Sequence, residues 1–311
     1  MASLKAPRDV FGEVLAILGE DNEKIFVLDG DLAGGTKTSC FAEKFPHRYL
    51  NVGIAEQNMV GVGAGLARAG FIPIVSTFAC FAPGRVYDQV RQSVAYSNLN
   101  VKIMSTHPGL AVGLDGAIHQ SLDDISLMRE LPNMVVLAPS DEISTKKAVE
   151  RAISYEGPVY VRIGRKECPV HFDENVEFEI GKGYTLRDGK DIAIISHGSM
   201  VDISYRAAEK LEAKGISVRV IEMPTIKPLD EEIVLRAAKE TKGIVVAEDH
   251  FKYGGLYSAV SEVVVDKYPC KVKCVAVEDT FGESGTPEEL YKKYGLTEEN
   301  IISKALNILE V

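Results

Sequence analysis

Three groups of residues carry side chains able to do chemistry. The first centres on Glu56 in NVGIAEQNMVG, residues 51–61, where a carboxylate stands in an otherwise uncharged segment running into the small-residue stretch VGVGAGLARAG. A carboxylate withdrawn from water needs a partner that compensates the lost hydration, so Glu56 is either turned outward or faces a specific group. Downstream, STFACF places Phe78 and Phe81 three residues apart. If the chain turns into helix there, rings at i and i+3 lie on one side and wall off a slot for a flat heterocycle. Singly, such a glutamate caps a helix and such phenylalanines fill a core. The signal is that they occur together.

The second group is HPGLAVGLDGAIHQ, residues 107–120, with His107, Asp115 and His119 in a glycine-dense loop after the apolar run VKIMST. Such a loop costs conformational entropy and exposes backbone amides, which favours a working loop over a mere connection. Its histidines suit metal ligation, acid–base work or contacts to a hydroxylated substrate. No further ligand stands at metal-site spacing, which argues against a metal held here. The third is Arg165 in RIGRKE, a guanidinium able to grip phosphate or carboxylate bidentately, or simply a charge leaving a strand for solvent.

Other candidates fail. LDGDLAGGTKT has neither the GxGxxG nor the GxxxxGK[ST] spacing of a phosphate-cradling loop, and Ser199 in HGSMV is not in a GxSxG elbow. His197 and His250 close apolar runs without an acid or nucleophile beside them in sequence and are read as structural.

The elements that must position these groups are legible as short apolar runs ending in Gly, Asp, Ser or His: IFVLDGD (25–31), IPIVSTF (72–78), VKIMSTH (101–107), MVVLAPSD (134–141) and VYVRIGR (159–165). Each has strand length and β-branched content, followed by polar or helical sequence, as in a buried parallel sheet whose carboxyl ends gather function. The pattern lapses over KECPVHFDENVEFEIGKGYTLRDGK, a linker with room for one hairpin. It restarts with DIAIISHGS, the amphipathic VDISYRAAEKLEAKG, the strand ISVRVIEMPT, a helix near 230–240, KGIVVAEDH, a strand around KVKCVAVED and a closing helix in TEENIISKALNILE. The expectation is two doubly wound α/β domains, 1–172 and 191–311, joined by a linker at 173–190.

Composition bounds the rest. The 311 residues are 26% charged and 46% hydrophobic, in the range of globular proteins and enough for two cores. A formal charge of -10 argues against a nucleic-acid surface. Five cysteines without CxxC or Cys/His spacing read as reduced thiols. The opening MASLKAPRDVFGEVL lacks a signal-peptide core, and no run approaches the ~18 apolar residues of a membrane span. A cytoplasmic protein is expected.

The order NVGIAEQNM, STFACF, HPGLAVGLDGAIHQ, LAPSDE and RIGRKE resembles the pyrimidine-binding domain of transketolases, and IEMPTIKPLD with VVAEDHFKYGG resembles the carboxyl-terminal domain of that family. The likeness covers essentially the whole chain and is specific as an ordered set. It implies thiamine diphosphate as cofactor. Glu56 would then meet a pyrimidine ring nitrogen and promote the imino tautomer, whose exocyclic nitrogen acts as base. The same resemblance assigns Phe78 and Phe81 to the wall beside the pyrimidine, and His107, Asp115 and His119 to the ketose hydroxyls and carbonyl. Arg165 and Arg8 are assigned to the sugar phosphate. The chain departs from the family at Gly84, where many members carry a further aromatic, and near AGGTKT, where a phosphate-site serine has no clear counterpart.

The family holds the diphosphate through magnesium on a separate domain marked by GDG and a later Asn; this chain has DGD at 29–31 and no such segment. The resemblance therefore implies the carboxyl-terminal subunit of a split, heterotetrameric or heterodimeric enzyme of the pentose phosphate pathway. An amino-terminal partner would supply diphosphate and Mg2+ ligands. Self-association would run through both domains, with the Gly/Ala-rich face at 59–69 allowing close helix packing. Deoxyxylulose phosphate synthase and the beta subunit of a 2-oxoacid dehydrogenase are the alternatives; His107 and GLDGAIHQ favour the transketolase reading. A non-catalytic module with the same fold is disfavoured by the retained Glu56 and histidines.

Overall fold

The computed structural model describes residues 4–310. Two sheets, each with helices on both faces, form an α/β architecture of doubly wound type. The first contains β1 (Ile25–Asp29), β2 (Tyr49–Asn51), β3 (Ile72–Ser76), β4 (Lys102–Thr106), β5 (Val135–Leu137) and β6 (Val159–Ile163). The second contains β7 (Tyr184–Arg187), β8 (Ile192–Ser196), β9 (Val218–Glu222), β11 (Ile244–Phe251) and β12 (Val272–Val277). A three-residue strand, β10 (Thr225–Lys227), follows β9 in sequence but pairs antiparallel with β5, giving the first sheet the order β10-β5-β6-β4-β3-β1-β2. The second runs β12-β11-β8-β9-β7 and is parallel except for β7, which lies within 173–190 and pairs with β9 rather than in a local hairpin.

Near-continuous burial explains the apolar strands. β4, β5, β6, β8 and β9 are buried at every position, as parallel strands covered on both faces must be. One layer of core packs Phe11 and Leu15 of the helix Pro7–Asp21 and Val149 of the helix Glu142–Ser154 against Ile74 and Val161. Another continuous cluster runs from Leu28, Val75 and Ile103 through Val136 and Ile226 to Ile195, Ile221 and Val246 of the second sheet. The two sheets thus share a core.

Helix Glu56–Arg68 buries Glu56, Met59, Val60, Gly63 and Ala64, a stripe of 3.6-residue period. Gly63 is needed for close approach, since a Cβ there would lie 2.9 Å from the Val75 side chain. Glycines 61 and 65 on the other face have nothing within 4 Å. None of the described helices is long and apolar enough to cross a membrane.

Candidate functional site

Three adjacent strands of the first sheet, β3, β4 and β6, deliver Phe78, His107 and Arg165 from their carboxyl ends. Glu56 enters from the first residue of its helix and is 3% exposed. The chain after β3 makes a tight turn rather than a regular helix, with Phe81 and Ala82 N–H donating to the Phe78 carbonyl at 2.9 and 3.0 Å. The turn still sets the two rings on one side, 6.3 Å apart and 14° from parallel. Gly35 closes in from another segment: a Cβ there would lie 2.8 Å from the Phe78 ring.

His107 packs against Phe78 with 3.9 Å between centroids and the rings tilted by 31°, and His119 meets the Phe81 ring edge-on at 5.6 Å. Arg8 reaches the same place because its backbone N–H donates to the Gly164 carbonyl beyond β6, at 3.1 Å. Its Nη1 lies 3.1 Å from His107 Nε2. A guanidinium only donates, so Nε2 is the acceptor and the proton sits on Nδ1, facing Thr106 Oγ1 at 2.7 Å. Burial, then the charges of Arg165, Arg8 and His119, push the His107 pKa down from 6.5 to about 3. Between those values the unfolded chain binds a proton that the folded chain does not, so this contribution to stability is full above about 6.5 and is lost as pH falls toward 3. The His107 ring resonances should accordingly stay unshifted in an NMR titration from about pH 5 to 8, where an ordinary histidine titrates. A midpoint inside that window would contradict the buried, cation-flanked environment.

Arg165 Nη1 donates to the Val112 carbonyl at 2.6 Å and to Asp115 Oδ2 at 3.2 Å, tying the end of β6 to the 107–120 loop. Gly109, Gly113 and Gly116 all have positive φ in that loop, which accounts for its glycine density. At Gly109 the requirement is also steric, because a Cβ would collide with the Asp249 carboxylate. Asp249, in β11 just before its last residues His250 and Phe251, accepts from Leu110 N–H at 3.0 Å and from the Tyr291 hydroxyl at 2.8 Å. Buried Arg162 of β6 donates to Asp124 Oδ2 and to the Asp249 carbonyl, both at 2.8 Å, and to the Ser121 carbonyl at 3.4 Å. The second sheet therefore supports the loop from below.

The structure brings Glu56, Phe78, Phe81, His107, His119 and Arg8 into one set of contacts, with Arg165 and Asp115 paired beside it. Sequence reasoning missed Arg85. Its Nη1 donates to Glu56 Oε1 at 2.7 Å while its guanidinium carbon lies 4.1 Å from the Phe81 centroid. Only its charge within the otherwise uncharged FACFAPGRV hinted at it. Asp249 and Arg162 were also missed, since their partners are remote in sequence.

Two weaker candidates resolve. Asp29 of the DGD run is fully buried and accepts from Leu32 N–H, Thr36 Oγ1 and Thr38 Oγ1 at 2.6, 2.9 and 2.7 Å, holding the following loop. His197 and His250 do have an acid nearby: Glu248 lies 3.7 Å from His197 Nε2 and 4.0 Å from His250 Nδ1. That carboxylate accepts the Leu256 and Tyr257 N–H groups at the start of the helix Leu256–Lys267, a structural cap. A cavity of about 600 Å³ opens between the two halves, lined by Pro7, Pro108, Arg165, Arg206 and Tyr291. It touches neither Glu56 nor the two rings, so it is distinct from the slot.

Comparison with known proteins matches residues 5–170 to the transketolase pyrimidine-binding domain and residues 181–301 to the transketolase C-terminal domain. The chain is 46% identical to a Methanocaldococcus jannaschii protein provisionally named a transketolase C-terminal section, covering 97% of this chain and 96% of that one. It is 40% identical to the 6-deoxy-6-sulfo-D-fructose transketolase subunit SqwH of Clostridium sp., covering 97% and 94%. With an apulose-4-phosphate transketolase subunit of Phocaeicola vulgatus it shares 38% identity, covering 98% of each. A solved structure titled as a split gene transketolase, inactive beta4 tetramer, superposes with a TM-score of 0.90 at 44% identity, covering 99% of both chains.

Proposed function

Because the chain belongs to the transketolase family, carrying its pyrimidine-binding and C-terminal domains, we propose that it is the carboxyl-terminal subunit of a two-subunit transketolase. In this reading it moves a two-carbon ketol unit from a ketose phosphate to an aldose phosphate. The observation that carries the reading is a glutamate, 3% exposed, joined through the Arg85 guanidinium to the Phe81 ring of a near-parallel aromatic pair.

The slot fits a thiamine-type pyrimidine. Glu56 Oε1 is held by Arg85, and no other hydrogen bond reaches the carboxylate among the described residues. Buried His119 Nδ1 is likewise without a partner among them. Thiamine diphosphate, when bound, supplies the carbon acid and the electron sink. The chain's own work is then positional and protonic. Glu56 exchanges a proton with the ring nitrogen, while Phe78 and Phe81 orient the ring and exclude water. His107, neutral across the working pH range, and His119 contact the ketose oxygens, with Asp115 on a hydroxyl. Arg165 and Arg8 hold the sugar phosphate, each retaining guanidinium donors beyond those used in the contacts above.

An amino-terminal partner supplies the diphosphate and Mg2+ contacts in this proposal. Two relatives with the word subunit in their names, and the inactive tetramer of a 44% identical chain, support partner dependence. The open faces at Gly61 and Gly65 suit self-association into a heterotetramer. The division 1–172, 173–190 and 191–311, a cytoplasmic location and a place in pentose phosphate metabolism belong to the same proposal. The names of the sulfofructose and apulose phosphate relatives favour testing other ketose donors as well.

The test is an assay of the chain alone, and with its partner, Mg2+ and thiamine diphosphate, across a panel of donors. The expected outcome is turnover of ketose phosphates only by the pair, reduced about 10- to 100-fold in kcat/KM by His107→Ala through lost polar contacts. Turnover by the chain alone overturns the partner requirement. Use of 2-oxoacids with no use of ketoses overturns the substrate class.

A further inference from the structure

The least explained side chain in the slot is Arg85. Surface ion pairs contribute little, and an arginine in a turn is ordinarily one of these. Here the acid is buried: the Glu56 side chain is 3% exposed against 44% for Arg85. A buried carboxylate without a partner is costly, and a guanidinium at 2.7 Å supplies a charge-assisted bond.

Residue 85 is fixed at three points. The guanidinium donates to Glu56 Oε1, its carbon lies 4.1 Å from the Phe81 centroid, and the backbone carbonyl accepts from Gln57 Nε2 at 3.2 Å. Two of these contacts go to the first two residues of the helix Glu56–Arg68, and the third goes to the aromatic wall. Gly84, beside it, offers no side chain, and a Cβ there would meet nothing within 4 Å. The guanidinium is therefore the group that covers Phe81 on this side. The cation–π contact fixes its plane while the carboxylate fixes its edge.

We infer that Arg85 is a positioning residue for Glu56: it holds one carboxylate oxygen so that the other is presented to the ring nitrogen of a thiamine-type pyrimidine. This rests on the reading that Glu56 meets that ring. Arg85 does not touch the reacting atoms. It acts through Glu56 and Phe81, and a methionine there replaces the aliphatic stem without doing either job.

The experiment is calorimetric titration of the reconstituted two-subunit enzyme with thiamine diphosphate and Mg2+, and separately with inorganic pyrophosphate, which reports the diphosphate site alone. Arg85→Met is expected to weaken thiamine diphosphate binding about 10-fold, the worth of one hydrogen bond to a charged group, and to diminish the near-ultraviolet circular dichroism band of the bound aminopyrimidine. Pyrophosphate binding stays unchanged. Arg85→Lys, which keeps the charge but not the fork, recovers part of the loss. Glu56→Gln in parallel separates the two claims. If Glu56→Gln alters the band and Arg85→Met does not, the role of Arg85 is wrong and the pyrimidine reading stands; if neither does, the pyrimidine reading itself falls. Tighter binding in Arg85→Met would make Arg85 a competitor for the slot and overturn the proposal.

Discussion

Glu56→Gln is expected to lower turnover of the reconstituted enzyme by about 10²- to 10⁴-fold, the usual size of a general acid–base contribution. Glutamine matches the shape of glutamate and still accepts a hydrogen bond from Arg85, so the slot and its rings stay in place. What it cannot do is carry the proton. The fold should survive, because Arg85 is partly exposed and is not left as a buried unpaired charge. Far-ultraviolet circular dichroism and assembly with the partner serve as controls, and single-turnover kinetics give the loss. Full activity in this variant would exclude proton exchange by Glu56 and with it the mechanism proposed above.

Arg162→Met is expected to cost about 3–5 kcal/mol of stability, because it strips a buried carboxylate of its counter-charge. Arg162 and Asp124 are 4% and 0% exposed. With the guanidinium gone, Asp124 Oδ2 keeps only the Tyr160 hydroxyl, at 2.8 Å, and Oδ1 already has no partner among the described residues. Urea denaturation would measure the loss as a lower midpoint at unchanged slope. The triple variant Arg162→Met, Asp124→Leu, Tyr160→Phe, which removes every member of the set, should recover most of it. A single variant as stable as the parent would mean that the pair contributes nothing. Because Arg162 also donates to the carbonyl of Ser121, the residue that follows the 107–120 segment, protection of that segment from proteolysis should fall as well.

The parts of this molecule legible in its sequence are those whose cause is local. Buried parallel strands appear as unbroken apolar runs, and β1, β3, β4, β6 and β8 lie within the runs read for them. Glu56 was conspicuous because it is the one charge in an otherwise uncharged segment, and the 107–120 loop because left-handed backbone demands glycine. Elements determined by remote partners were not legible. β2 is a half-exposed YLN whose strand character comes from pairing with β1. β10 is a three-residue TIK whose partner lies 88 positions earlier at Leu137. Arg85 is the same case at the level of one side chain, since its carboxylate lies 29 positions away in sequence.

The excursion of β10 has a consequence for how the chain can be taken apart. Thr225 and Lys227 cover the outer margin of β5, and the Pro224 carbonyl accepts from Ala138 N–H at 2.8 Å. Cutting anywhere in the 173–190 stretch would strip that cover and leave β5 as an open template for other chains to extend. The amino-terminal piece, expressed alone, would thus be prone to cling to its own copies, and the natural unit for dissection or fusion is the undivided polypeptide.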